Sequence, residues 1–238
     1  MKVRPFPVPR LLIATLAQGR TILRGVWYLL CAYKWIWLAL FAIDFGFGLL
    51  LMPHDPTLLA KIDFWENNQE RIAHSIAWNL STWGDYPTYN LPLVLLIWLY
   101  GVWRKSATWR RIAVVCFLGA TLAGLFDDCF RLTMGRPRPD AHYQDGFYGV
   151  GRAFGSSFQS FPSGHAASVF GASVALLFVD LRLGIVTTIF AFTVAWARLE
   201  LHRHYPGDVL VGAVIGLYFG LLVGLASQLR RPRSRPGG

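Results

Sequence analysis

Acidic residues are scarce in this sequence. Asp and Glu together number 13, against 23 Lys and Arg, and the charged fraction is only 15%. An average soluble domain has about 25% charged residues, so a sequence that is 54% hydrophobic is a poor match for that class. The net charge of +10 suits an anionic membrane surface and an anionic substrate. We therefore expect a lipid bilayer as a partner, and no nucleic acid.

Cysteine is also rare. The three cysteines, Cys31, Cys116 and Cys129, lie in or beside apolar runs and lack the spacing of metal ligands. Buried thiols are the ordinary state of such residues. We therefore expect buried thiols here, with no bound metal and no other cofactor.

Apolar runs dominate the rest of the chain, and several approach the roughly 20 residues that cross a bilayer as a helix. They predict an all-α polytopic membrane protein with six transmembrane helices, whose core bundle carries the site within one domain over residues 1–238. The predicted spans run from about Trp35 to Met52, Leu91 to Trp103, Ile112 to Phe130, His165 to Val179, Leu183 to Ala197, and Asp208 to Leu229. Trp27 and Trp83 are alternative starts for the first two.

Charge predicts the orientation of these spans. Six spans put both termini on one side, and that side holds 15 of the 23 Lys and Arg, including a basic arm (1–24) and a basic tail (230–238). The positive-inside rule makes it cytoplasmic, so we predict a multi-pass protein of a bacterial plasma membrane. Most of the remaining basic residues lie in two loops on the outer face, against the positive-inside trend. This exception indicates that they serve a chemical function there. They are Arg131, Arg136, Arg138, Arg152, Arg198 and Arg203.

Three stretches emerge together on this outer face and predict an anion site. They are residues 131–139 after the third span, 161–165 at the start of the fourth, and 198–208 between the fifth and sixth. A helix that begins with small residues offers free N–H groups and a positive dipole end to an anion. Arginine adds paired, permanently charged donors that fit phosphate. The predicted phosphate-binding residues are Arg131, Arg138, Arg198, Ser163 and Gly164.

Two histidines and one aspartate complete the predicted site. His204 lies four residues before Asp208, one helical turn away. The carboxylate can therefore hold the Nδ1 proton and present the other ring nitrogen as a nucleophile, while His165 protonates the leaving oxygen. His202 is close enough to be an alternative nucleophile, but Pro206 stands four residues after it instead of a carboxylate.

This pattern resembles the phosphatidic acid phosphatase type 2 superfamily, the lipid phosphate phosphatases. The family pattern is Lys-x6-Arg-Pro, Pro-Ser-Gly-His and Ser-Arg-x5-His-x3-Asp. The matching residues are Arg131-x6-Arg138-Pro139, Pro162 to His165, and Ala197-Arg198-x5-His204-x3-Asp208. Arg131 stands in place of the family Lys and Ala197 in place of the Ser. Neither change removes the proposed nucleophile or acid, so we expect activity.

The resemblance implies a metal-independent hydrolase. In it His204 forms a phosphohistidine, His165 is the general acid, and the three arginines with Ser163 and Gly164 bind phosphate. The expected reaction is hydrolysis of a mono- or diphosphate ester of a membrane lipid on the outer, periplasmic face. Candidate substrates are undecaprenyl diphosphate, the phosphates of lipid A, phosphatidylglycerophosphate and phosphatidic acid.

Alternatives remain at this stage. A phosphohistidine can be discharged by a lipid hydroxyl, which would make the protein a lipid phosphotransferase. A vanadium haloperoxidase shares the same site pattern. The non-enzymatic alternative is a lipid transporter or an inactive lipid-binding membrane protein, because acids such as Asp44 lie within the spans. Asp128 stands three residues before Arg131, and we expect an ion pair between them.

Overall fold

The computed structural model describes residues 8–62 and 68–229, and every regular element within these two ranges is helical. This confirms the all-α prediction. The first seven residues and the predicted basic tail (230–238) lie outside the described residues. The α-helices are α1 (Val8–Ala32), α2 (Lys34–Leu51), α3 (Asp55–Ile62), α4 (Asn68–Gly84), α5 (Leu91–Trp103), α6 (Ala107–Met134), α7 (Val150–Ala153), α8 (Gly164–Leu177), α9 (Leu181–Glu200) and α10 (Pro206–Gln228).

Four helical stretches in the described ranges are long and apolar enough to cross a membrane. They are Lys34–Lys61, Ala107–Ala141, Leu181–Glu200 and Pro206–Gln228, and they correspond to the first, third, fifth and sixth predicted spans. The other two predicted spans fall on helices of 13 residues (α5) and 14 residues (α8), shorter than the roughly 20 residues of a full crossing. The count of six spans therefore stays a prediction, while the multi-pass character follows from the four.

Local signals explain where these helices begin and end. The hydroxyl of Ser106 accepts a hydrogen bond from the Trp109 amide and so caps α6. The same helix ends at Gly135, which adopts a left-handed conformation (φ 64°) that glycine tolerates best. A Cβ there would also lie 2.5 Å from the Gly149 carbonyl oxygen. This stop turns the chain out of α6 just before Arg136.

Helix α8 lies at the centre of the bundle and packs against α6, α9 and α10. Small residues allow the helix backbones to approach closely, as is common where membrane helices meet. A Cβ on Gly171 of α8 would lie 2.5 Å from the carbonyl oxygen of Gly119 on α6. The core beside this contact contains fully buried Phe161 and Ile215. Contacts with α6, α9 and α10 thus hold α8 in place.

Two details differ from the predictions. Helix α1 ends at Ala32 and α2 begins at Lys34, so the first long apolar helix begins close to the predicted Trp35, and the alternative start at Trp27 is wrong. Of the three cysteines only Cys116 is buried, whereas Cys31 and Cys129 are exposed, so the expectation of buried thiols is wrong for these two. Both lie on apolar helices, whose outward faces can contact lipid instead of a protein core.

Candidate active site

The three stretches predicted to form the site are joined by backbone hydrogen bonds at one end of the bundle. The Ser160 amide donates to the Arg136 carbonyl (3.0 Å), and the Ser163 amide donates to the Asp208 carbonyl (3.0 Å). The Asp140 amide donates to the carbonyl of His202 at 3.3 Å. The segments after α6, before α8 and between α9 and α10 therefore meet, as the sequence predicts.

His204 is buried between these segments, with only 1% of its surface exposed. Its Nδ1 lies 2.7 Å from the carbonyl oxygen of Ser160. A carbonyl can only accept, so Nδ1 carries the proton in this contact and Nε2 keeps a free lone pair. The predicted hydrogen bond from Nδ1 to Asp208 is not formed, because the closest carboxylate oxygen is 4.0 Å away.

Electrostatics keeps this imidazole neutral. Burial and the positive charges of Arg198 and Arg138 hold the pKa of His204 well below its usual range, outweighing the opposing hydrogen bond to Ser160. A neutral imidazole with Nε2 unprotonated is the form that can act as a nucleophile.

Asp208 acts on His204 through an intermediate residue. One of its carboxylate oxygens accepts hydrogen bonds from the Ser160 hydroxyl (2.5 Å) and the Tyr205 amide (2.8 Å). The other accepts from Arg136 at 2.6 Å. Asp208 therefore fixes Ser160, whose own carbonyl oxygen orients the His204 ring.

Arg136 is the centre of a buried ion cluster that the sequence did not predict as part of the site. Its guanidinium donates to Asp55 (2.8 Å), to Asp208 (2.6 Å) and to both oxygens of Asp145 (2.9 and 2.7 Å). It also lies 4.3 Å from the ring centroid of Tyr205. Arg136, Asp55 and Asp208 are completely buried. This cluster connects the start of α3 to the first turn of α10.

The predicted phosphate-binding residues present buried donors that have no hydrogen-bond partner in the described parts of the protein. Such donors are rare in folded proteins and call for a specific explanation. They are Nε of Arg131, Arg138 and Arg198, and the hydroxyl of Ser163. Four donors of this kind on three neighbouring segments form a cradle suited to a tetrahedral anion.

Arg131 lies against the start of α8. A Cβ built on Gly164 would lie 3.6 Å from its Nη1, so the guanidinium borders the free N–H groups of that helix. Arg131 also donates a hydrogen bond to Asp128 and lies 3.9 Å from Asp127. The expected ion pair with Asp128 is confirmed.

Arg198 forms a hydrogen bond with a residue of α4, a helix for which the sequence predicted no role in the site. Its Nη1 donates to the hydroxyl of Ser81 on α4 at 2.6 Å, and both side chains are buried. Helix α4 packs along α9, which brings Ser81 to the arginine.

His165 stands in the first turn of α8, between two cavities. One, of about 510 Å³, is also lined by Arg198 and Arg203, and the other, of about 300 Å³, by Arg131 and Gly164. The Nε2 of His165 lies 3.6 Å from a carboxylate oxygen of Asp85. In contrast to His204, this imidazole is partly exposed and can reach a group that enters either cavity.

Membrane-crossing helices with arginines and histidines clustered at one end suit the binding of a phosphoryl group at the membrane surface. The family model of the PAP2 superfamily matches residues 112–232, and the chain belongs to that superfamily.

Two curated relatives are phosphatases, which supports a hydrolase. The chain is 33% identical over 117 residues to the lipid A 1-phosphatase of Rhizobium johnstonii, covering 48% of this chain and 47% of that protein. It is 32% identical over 170 residues to the lipid A 4'-phosphatase of Bacteroides thetaiotaomicron, covering 67% and 68%. The match thus spans about half the length of the first relative and two thirds of the second.

A solved structure shares the fold. It is the transmembrane PAP2-type phosphatidylglycerolphosphate phosphatase of Bacillus subtilis, with a TM-score of 0.57 and 19% identity over 82% of this chain and 98% of that one. At this level of identity the likeness concerns the fold alone.

Proposed function

We propose that this protein removes a phosphate group from a membrane lipid, on the outer face of a bacterial plasma membrane, through a phosphohistidine at His204. The observation that carries the proposal is the set of buried donors that make no hydrogen bond among the described residues, Nε of Arg131, Arg138 and Arg198 and the hydroxyl of Ser163. Arg138 and Arg198 act electrostatically on both histidines of the site. Buried donors without partners are costly to maintain unless a ligand uses them.

The proposed reaction has two steps. In the first, Nε2 of His204 attacks phosphorus, the bond from phosphorus to the lipid oxygen breaks, and His165 gives that oxygen a proton. In the second, His165 takes a proton from water, the water oxygen bonds to phosphorus, and the bond from phosphorus to Nε2 breaks. Inorganic phosphate leaves, and both histidines return to their starting protonation states.

Positive charge lowers the barrier of both steps. The three arginines carry the charge of the phosphoryl oxygens, together with the N–H groups at the start of α8 near Ser163 and Gly164. Because the guanidinium groups supply the charge that metal ions supply in many phosphoryl transferases, we propose that the reaction needs no metal ion.

The proposed substrate is a lipid whose phosphorylated head group is exposed on the outer side. The names of the two relatives make the phosphates of lipid A the first substrates to test. Undecaprenyl diphosphate, phosphatidylglycerophosphate and phosphatidic acid belong in the same panel, because the cradle recognises the phosphoryl group that they share.

The test is phosphate release from this panel by purified protein in detergent. The His204→Ala variant should lose at least a thousandfold in rate, whereas His54→Ala, which alters an exposed histidine, should match the wild type. Chelation by EDTA should leave the rate unchanged, and vanadate should inhibit. Undiminished turnover by His204→Ala would overturn the proposal, and release of a phosphorylated acceptor lipid instead of inorganic phosphate would make the protein a phosphotransferase.

A further inference from the structure

Asp85 lies between α4 and α5, outside the matched family residues, and its carboxylate faces the proposed general acid. One oxygen is 3.6 Å from Nε2 of His165, and both residues line both cavities of the site. This distance suits an ion pair, and catalytic hydrogen bonds are often this long before substrate is present.

The backbone around Asp85 holds this carboxylate in place. The Asp85 amide donates to the Thr82 carbonyl (3.1 Å), and its own carbonyl accepts from the amides of Tyr89 (3.1 Å) and Asn90 (3.2 Å). An Asp at the start of a helical turn ordinarily caps that turn with its side chain, but here the side chain forms no capping hydrogen bond. The carboxylate is therefore directed at His165 and not at its own helix.

The charges around His165 make one carboxylate important. Burial and the guanidinium groups of Arg198, Arg138, Arg131 and Arg203 all disfavour protonation of this imidazole. A protonated imidazole is repelled by each of these cations. The imidazolium that donates the proton therefore depends on negative charge beside it. Asp85 is the one carboxylate recorded in ion-pair range of His165 among the described residues.

We propose that Asp85 is a positioning residue that keeps a proton available on His165, an inference that rests on the proposed function. In the imidazolium both ring nitrogens carry hydrogen. The Nε2–H faces Asp85, and the Nδ1–H is the proton that the departing lipid oxygen takes. Asp85 forms no covalent bond and stays ionised throughout, as the aspartate of a serine protease triad does. Together with Ser81, one turn earlier, it makes the end of α4 a wall of the site.

Leaving-group dependence tests this role. An alkyl phosphate such as short-chain phosphatidic acid needs a proton on its leaving oxygen, whereas p-nitrophenyl phosphate releases a stable phenolate without one. We expect Asp85→Asn to lose about 10- to 100-fold in kcat/KM on the alkyl phosphate, within the range of general acid catalysis, and less than threefold on the aryl phosphate. The parameter is kcat/KM because it reports the first step, whereas hydrolysis of the phosphohistidine is common to both substrates. Asp85→Glu should restore part of the loss.

His165→Ala and Asp180→Asn are the reference variants. His165→Ala should show the same selectivity in kcat/KM with a larger loss. Asp180→Asn removes a carboxylate at the opposite end of α8, where it caps α9 and Asn caps equally well, and it should change neither kcat/KM value more than twofold. Should Asp85→Asn fail to fold, as judged by thermal unfolding, Asp85→Ser removes the carboxylate with less bulk and should show the same selectivity.

Each outcome decides a different claim. If His165→Ala is selective but Asp85→Asn loses the same factor on both substrates, the proposed role of Asp85 is overturned. No loss on either substrate in Asp85→Asn overturns it as well. An unselective His165→Ala would overturn both the inference and the acid role of His165 in the proposed function.

Discussion

Replacing Arg136 by Met tests whether the buried ion cluster holds the site together. The change removes the one cation that serves Asp55, Asp145 and Asp208 in this cluster, and two of these carboxylates are completely buried. Removing one partner of a buried ion pair costs about 3–5 kcal/mol, because the remaining charge is left uncompensated. The cluster has one cation for three carboxylates, so we expect a loss in the upper part of that range.

The loss is measurable as a shift of the melting temperature in detergent. For a chain of this size about 1 kcal/mol corresponds to a shift of roughly 2–4 °C, so a loss of about 4–5 kcal/mol should make Arg136→Met melt about 8–20 °C below the wild type. Fluorescence of the ten tryptophans reports the transition. Arg136→Lys keeps the charge but lacks the planar fork that serves several carboxylates. Its melting temperature should lie between those of Arg136→Met and the wild type.

Arg203→Met is the matched control. Arg203 pairs with Asp140 at 2.7 Å, the same distance as Arg136 to Asp145, but both members of that pair are more than a third exposed. Exposed pairs contribute at most about 1 kcal/mol, so this variant should melt within about 4 °C of the wild type. Equal shifts for the two arginines would refute the reasoning, because Arg136 is buried and serves three carboxylates, whereas Arg203 is exposed and pairs with one.

Three further predictions concern the site itself. Ser81→Ala removes the hydroxyl that holds Arg198 and should raise KM by about 5- to 30-fold, the equivalent of about 1–2 kcal/mol, whereas Ser81→Thr should stay within threefold. Gly212→Ala places a Cβ 2.5 Å from the carbonyl oxygen that precedes α8 and should lower both the melting temperature and kcat. Gly46→Ala, where a Cβ has no neighbour within 4 Å, should lower neither. Because the pKa of His204 lies well below its usual range, protonation of this residue should produce no acid limb in kcat/KM above a pH of about 6.5; an acid limb at higher pH would contradict the assignment.

The sequence predicted the helices best where an apolar run coincides with the whole helix. The predicted span from Leu91 to Trp103 has the bounds of α5. The prediction for α6 was too short, because the polar residues at its start remain helical after the cap at Ser106. Hydropathy marks the part of a helix that lipid can cover, whereas capping residues and tight turns set its ends.

The site was predicted where its residues belong to short motifs and missed where they do not. Arg198 could be assigned from its motif, but its partner Ser81 is 117 residues away, and the packing of α4 on α9 brings them together. The same holds for Asp55 and Asp85, which lie between the first two predicted spans and received no predicted role. No local pattern encodes such contacts. The hydrogen bond of His204 to the Ser160 carbonyl could not be predicted from the sequence either, because every residue type has the same backbone carbonyl.

The most direct test of the account is to trap the covalent intermediate. Wild-type protein mixed with a phosphate-labelled lipid and quenched within milliseconds should carry an acid-labile, alkali-stable label on His204. The label should be absent from His204→Ala and should persist longer in His165→Ala, because the second step then lacks its base. A label that survives in His204→Ala, or that maps to another residue, would contradict the claim that this imidazole is the nucleophile.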